Sequence, residues 1–143
     1  MTEIRTFTVP GKPTGKGRPR ATIRGGHAAM YTPAKTASYE NKVALSYVAG
    51  NPGVKPFEAG VPLVVVMVAV FAIPASWSKR RKAEAMWHTS KPDADNLVKC
   101  MDALNGIAWH DDSQVVDVRC VKRYDTEGKG ERLSVQISPL AMK

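Results

Sequence analysis

The sequence predicts an α+β fold: a single domain spanning residues 1–143, in which helices pack on a mixed β-sheet. Two observations carry this prediction. Residues 61–73 form a nearly continuous β-branched run, and residues 39–47 repeat apolar and aromatic side chains at helical spacing. A chain of 143 residues has room for one hydrophobic core but not for two.

The N-terminal segment is predicted to form a strand, a basic loop and a hairpin. Residues 3–9 alternate and are rich in β-formers, so they are typical of a strand. Residues 11–20 hold three glycines, two prolines and four cations, which excludes a regular helix and lets the backbone approach a ligand closely. Gly25-Gly26 is a hairpin turn, with residues 28–31 as the returning strand.

A helix and a central strand follow. Thr32 is a candidate N-cap with Pro33 at the first helical position, and Gly50 ends the helix. Residues 61–73 are predicted to be buried on both faces of the sheet, because their β-branched side chains show no alternation.

The second half predicts two helices and two strands. Ser76 or Ser78 caps a short basic helix around residues 79–85, and a further helix runs from about residue 94 to 105. Residues 114–124 form a strand, and residues 132–137 are expected to pair back on it as a hairpin.

Composition favours an intracellular protein with a polyanionic partner. The formal charge is +8 and the pI is about 9.7, which indicates nucleic acid. Cys100 and Cys120 form no CxxC motif and belong to no Cys/His cluster, so we expect reduced thiols and no zinc site. The longest apolar run is too short to span a membrane, and the N-terminus resembles no signal peptide. We therefore expect a cytoplasmic location.

Acidic residues are unusually dense between residues 93 and 112. Asp93 and Asp95 stand at the start of the predicted helix, Asp111 and Asp112 follow it, and Lys99 lies one turn after Asp95. Because this helix is roughly 18 Å long, the carboxylates meet only if the chain returns along it and the following strand begins beside the helix N-terminus.

Two interpretations of these acids remain. As N-cap and first-turn residues they would stabilise the helix, and Lys99 would form an ion pair with Asp95. As a convergent group they would repel one another unless a cation neutralised them, and Mg²⁺ or Mn²⁺ prefers such oxygen ligands. A metal held there would support phosphodiester hydrolysis, with Lys99 stabilising transition-state charge.

Two clusters of cations are candidate DNA contacts. Their backbone and side-chain donors suit phosphate groups, although a solvated surface is the alternative for each cluster. The candidates are Lys12, Lys16, Arg18 and Arg20 in the loop, and Lys79, Arg80, Arg81 and Lys82 on the short helix. Trp77 and Trp87 flank the second cluster, either as partly buried anchors or as surfaces for unpaired bases.

The stretch from Lys91 to Gly106, Lys-Pro-Asp-Ala-Asp-Asn-Leu-Val-Lys-Cys-Met-Asp-Ala-Leu-Asn-Gly, followed by Asp111-Asp112-Ser-Gln-Val, resembles the RusA family of Holliday junction resolvases. Val9-Pro-Gly-Lys-Pro, Gly17-Arg-Pro-Arg and Tyr31-Thr-Pro-Ala-Lys are similar to segments nearer the N-terminus of that family. The resemblance covers most of the chain in the family's order.

This resemblance implies a homodimer that resolves four-way DNA junctions with Mg²⁺. It implies Asp93, Asp95 and Asp112 as catalytic, metal-binding carboxylates, Lys99 as the essential lysine, and Asp111 as a supporting acid. Two other functions are open from the residues themselves. A DNA-binding module without catalysis would be indifferent to Mg²⁺, and a different metal nuclease would cut without preferring junctions.

Overall fold

The computed structural model describes residues 3–17, 20–31 and 34–140, so the predicted cap Thr32-Pro33 and the candidate contact Arg18 lie outside the described residues. A mixed sheet with helices packed on it confirms the predicted α+β class. In chain order the elements are β1 (Arg5–Pro10), β2 (Arg20–Arg24), β3 (His27–Tyr31), α1 (Ala34–Gly50), β4 (Leu63–Phe71), α2 (Lys79–Glu84), α3 (Ala94–Lys99), the 3₁₀ helices η1 (Cys100–Leu104) and η2 (Asp112–Gln114), β5 (Val115–Tyr124) and β6 (Arg132–Pro139).

The four-stranded sheet has the order β1-β6-β4-β5, and β2 and β3 form a separate hairpin. β4 pairs parallel with β5 and antiparallel with β6. The predicted hairpin between residues 114–124 and 132–137 is therefore wrong. The connecting loop crosses the end of β4, where the Asp125 N–H donates to the Phe71 carbonyl at 2.7 Å. It delivers β6 to the far edge of β4, so that β4 is hydrogen-bonded to a strand on each edge.

Over most of its length β4 is buried on one face, and only at its end, at Val70 and Phe71, are both faces buried, which corrects the prediction of two buried faces throughout. Leu63, Val65 and Met67 are buried, while Val64 and Val66 are half-buried. The difference arises because the helices cover a single face of the sheet, and β-branched side chains also suit a half-exposed face.

One core cluster joins that face to the helices. From α1 it receives Tyr39, Val43 and Tyr47, and from α3 and η1 it receives Leu97, Cys100, Met101 and Leu104. The two helical tyrosines are thus core residues and offer no surface to a partner. The predicted helix over 94–105 is α-helical only to Lys99 and then tightens into η1, as helix C-terminal turns often do.

Candidate active site and nucleic-acid interface

Asp93 and Asp95 lie at the start of α3, as predicted. Asp93 occupies the N-cap position, but its side chain makes no capping hydrogen bond and instead lies 3.1 Å from Lys91 Nζ. Helix capping therefore does not explain this residue. Asp95 lies 3.7 Å from Lys99 Nζ, and both side chains are largely exposed. This pair contributes a few tenths of a kcal/mol at most, which leaves Lys99 available for other partners.

The return of the chain after η1 is fixed by Trp109. Its side chain is fully buried, and its Nε1 donates to Asn105 Oδ1 at 2.6 Å. The Gly106 N–H donates to the Trp109 carbonyl at 2.7 Å, which closes a tight loop. This loop places η2 against η1, so that Asp112 meets Asp102.

The carboxylates that Asp112 contacts are those of Asp111 and Asp102. Asp112 lies beside η1, whereas Asp93 precedes α3 at the other end of the same helical segment. Nine residues of helix separate Asp93 from Asp102, or roughly 14 Å at the α-helical rise. β5 instead brings Lys122 to that end, where Lys122 Nζ donates to the carbonyls of Ser90 and Pro92 at 2.7 Å each.

Asp102, Asp111 and Asp112 form a chain of contacting carboxyl groups. Asp111 caps η2 by accepting from the Ser113 N–H at 3.0 Å, and this bond, with a hydrogen bond from Asp112, lowers the pKa of Asp111. The hydrogen bonds that protonated Asp112 donates to Asp111 and then to Asp102 raise the pKa of Asp112. Asp111 therefore remains charged more readily, whereas Asp112 retains its proton more readily.

We expect Asp111→Asn to lower the pKa of Asp112 toward the ordinary aspartate value. Asparagine is an equally good N-cap, so η2 should persist while the charged neighbour of Asp112 is lost. Titration by ¹³C carboxyl NMR in EDTA measures the change, and Glu84→Gln on α2 is the control for the loss of an exposed carboxylate elsewhere. An unchanged pKa of Asp112 in Asp111→Asn would contradict the carboxyl contact.

Lys99, Asp102 and Asp112 line a cavity of about 250 Å³, with Val65 and Trp109 among its apolar lining. Asp102 is a candidate site residue that the sequence interpretation missed. Its spacing carried the signal, because Asp95, Lys99 and Asp102 lie at i, i+4 and i+7 and so share one helical face.

A second, larger cleft of about 540 Å³ lies between the basic loop, the first turn of α1 and the segment before α3. Lys12, Lys16, Lys35 and Lys91 line this cleft, and Asp93 stands on its wall. The sequence interpretation did not select Lys35 or Lys91, because they are distant in sequence from the basic loop. Tertiary structure brings four lysines around one acid of the motif.

The basic loop is held firmly against α3. The Lys16 N–H donates to the Asn96 carbonyl at 2.9 Å, and Cys100 Sγ donates to the Thr14 carbonyl at 3.1 Å. A Cβ on Gly15 would lie 2.9 Å from the Pro92 Cβ, so glycine is required for this close approach. The loop is therefore a fixed wall of the cleft.

Lys16 is engaged by carboxylates, which makes it a poorer phosphate contact than predicted. Its Nζ lies 3.0 Å from Asp102 and 3.4 Å from Glu40. Partial burial lowers the pKa of Lys16, but these two carboxylates outweigh that effect and hold the pKa above its ordinary value. Lys12 and Lys35 have no ion-pair partner within the described ranges. Arg20 begins β2, at the far end of the loop.

The second basic cluster is exposed on α2, which Ser78 caps as predicted. Arg81 stacks on Trp77 with its guanidinium carbon 3.7 Å from the ring centre, and Arg80 pairs with Glu84 at 3.5 Å. Lys79 and Lys82 are also exposed. Trp77 is a half-buried anchor, whereas Trp87 is 60% exposed.

The chemistry of the acidic side chains suits a divalent cation. Exposed carboxylates are ligands that Mg²⁺ accepts, and the crowding that raises the pKa of Asp112 is the charge imbalance that a cation relieves. Within residues 3–17, 20–31 and 34–140, no three His, Cys, Asp or Glu side chains are placed to hold an ion together. An ion would therefore rely on one or two carboxylates plus water and substrate oxygens, as Mg²⁺ commonly does.

Comparison with known proteins agrees with the motif. A family model described as Endodeoxyribonuclease RusA matches residues 10–138. Uncharacterized protein YqaN of Bacillus subtilis (strain 168) is 38% identical over 138 residues, which cover 92% of this chain and 96% of that protein. Crossover junction endodeoxyribonuclease rusA of Lactococcus phage r1t is 35% identical over 77 residues, or 52% of this chain and 55% of that protein. In the described part of the chain, no helix is long and apolar enough to cross a membrane.

Proposed function

The chain belongs to the RusA family of endodeoxyribonucleases, and from this premise we propose that it resolves four-way DNA junctions by Mg²⁺-dependent, paired and symmetric nicks. The family's reaction is the hydrolysis of phosphodiester bonds in DNA at crossover junctions, so the protein is a hydrolase. Recombination and repair of DNA in the cytoplasm are the processes in which we expect it to act.

The observation that carries this proposal is the arrangement around α3. On one side Lys99 and Asp112 share a cavity with Asp102, and on the other Asp93 stands in a cleft lined by lysines. A polyanion lying along the lysines would present its phosphates to the carboxylates at both ends of this helical segment. Cations next to acids in an open groove suit a nuclease better than a module that only binds.

Each group has a separate role in the proposed reaction. Lys12, Lys35 and Lys91 bind phosphates and orient the strand, and Lys99 stabilises the negative charge that develops on the attacked phosphate. Asp93, Asp95 and Asp112, with Asp111 in support, are the carboxylates that would hold Mg²⁺, one or two at a time, with water and substrate oxygens completing its coordination. When bound, this ion supplies an activated water and neutralises phosphate charge, and Mn²⁺ has suitable chemistry to replace it. Asp102 keeps Lys16 and the basic loop in place beside Asp112.

A homodimer is part of the proposal. Symmetric nicks in opposed strands require two equivalent sites at a fixed spacing, and a two-fold dimer supplies them. The partner is a second copy of this chain bound to one junction.

The decisive experiment compares a labelled four-way junction with a matched linear duplex, with Mg²⁺ and with EDTA. We expect symmetric nicks in the junction alone, and only with Mg²⁺. Tight binding without cutting would show that the protein is a DNA-binding module and would overturn the proposed nuclease activity. Equal cutting of the duplex would retain the nuclease but overturn junction specificity.

The double variant Lys35→Met/Lys91→Met is expected to weaken junction binding and to lower the slope of log affinity against log salt by about 1 to 2. Each lost phosphate contact removes close to one released counterion. Fluorescence anisotropy over a salt series measures this slope. Lys55→Met is the matched control, because Lys55 is exposed but lines neither cavity. An unchanged slope in the double variant would rule out the cleft as the phosphate path.

A further inference from the structure

β5 is an edge strand with apolar side chains in solvent. It pairs with β4 on one side, and Val116 and Val118 are 58% and 41% exposed. Edge strands that remain unpaired in solvent usually avoid such residues, because the open backbone invites another strand. The opposite edge, β1, is partly protected, since Asn51 Nδ2 donates to the Thr6 carbonyl at 3.1 Å.

Among the described residues, backbone hydrogen bonds cover the outer edge of β5 only over its C-terminal part. There the His88 N–H donates to the Lys122 carbonyl at 3.1 Å, and the Tyr124 N–H donates to the Met86 carbonyl at 2.8 Å. These bonds show that the even-numbered residues direct their peptide groups away from β4. By the alternation of a strand, Val118 and Cys120 also present their peptide groups outward, at the uncovered part of the edge.

The charges on this edge are self-complementary in one register. Asp117 and Arg119 are exposed on the same face of β5, and neither has an ion-pair partner among the described residues. In a two-fold antiparallel pair centred on Val118, each Asp117 lies opposite Arg119 of the partner subunit. Centring the pair one residue earlier or later would oppose two Asp117 or two Arg119 side chains, which is unfavourable.

We propose that two copies of this chain dimerise by antiparallel pairing of β5 with β5, with the two-fold axis at Val118. The sheet then continues across the dimer, the exposed valines are covered, and two Asp117–Arg119 pairs fix the register. This inference rests on the proposed homodimeric resolvase and specifies its interface. Asp112 lies three residues before β5. The two-fold axis would therefore relate Asp112 of one subunit to Asp112 of the other, and the paired β5 strands would fix their spacing.

Charge reversal tests the register. By sedimentation equilibrium, Asp117→Arg and Arg119→Asp should each raise the dimer dissociation constant by roughly 10-fold or more, since two attractive cross-strand pairs become repulsive. The double variant Asp117→Arg/Arg119→Asp should restore a value close to that of wild type. Glu84→Arg on α2 is the control for altered net charge. If the double variant dimerises no better than the single variants, the proposed register is wrong.

Cross-linking provides a second test that does not depend on charge. Antiparallel hydrogen-bonded residues have Cα atoms roughly 5.5 Å apart, within the range that a disulfide spans. In a Cys120→Ser background, Val118→Cys should give a disulfide-linked dimer under mild oxidation, whereas Thr126→Cys should not. Suppose that the wild type is a dimer, that Val118→Cys does not cross-link it, and that neither charge reversal weakens it. That result would overturn the β5 interface but not the proposed homodimer. A wild-type monomer that still cuts junctions would overturn the dimer and leave the nuclease.

Discussion

Asp112→Asn is expected to lower the rate of junction cleavage by at least about 100-fold while leaving junction binding intact. Asp112 is exposed and packs into no core, so its loss should not disturb the fold. The substitution removes the carboxylate that shares a cavity with Lys99. Single-turnover cleavage with saturating enzyme measures the chemical step, and anisotropy measures binding.

Asp93→Asn should give the same phenotype, although Asp93 lines the other cleft. If both acids serve one reaction, the double variant should be little worse than either single variant, because groups that act as a unit are not additive. Glu84→Gln removes an exposed carboxylate on α2 and should retain full activity. Multiplicative losses in the double variant would show that the two acids act independently and would contradict a single site.

Trp109→Ala is expected to lower the free energy of unfolding by about 3–5 kcal/mol, the range for truncating a large buried aromatic residue. Trp109 is fully buried, and it anchors the loop that places η2 against η1. Denaturant unfolding followed by circular dichroism measures this loss. At temperatures where the variant remains folded, cleavage should also fall, because Asp112 would no longer be fixed beside Asp102.

Two related variants separate packing from hydrogen bonding at this position. Trp109→Phe keeps most of the apolar volume but removes the indole donor, and Asn105→Ala removes its acceptor. Each should cost less than Trp109→Ala, with about 1–3 kcal/mol for Asn105→Ala because a buried donor is left unsatisfied. Equal stability of Trp109→Ala and wild type would contradict the anchoring role.

The local elements of this protein were predictable from sequence because their signals are local. Strand composition, the Gly25-Gly26 turn, the Ser78 cap and the spacing along α1 each report on neighbouring residues, and the structure has each of them. Long-range pairing was predicted less well. The loop over residues 125–131 is compatible with a hairpin, and no local signal indicates that β4 lies between β5 and β6.

The family and the acidic and basic residues available for chemistry follow from the sequence, because a long motif of fixed spacing identifies them whatever path the chain takes. Which of these residues meet depends on the tertiary structure. It placed Asp102 between Lys16 and Asp112, separated Asp93 from Asp112 along the helical segment, and added Lys35 and Lys91 to the cleft. Contacts between side chains distant in sequence depend on where the loops direct the chain, and packing around residues such as Trp109 sets that direction.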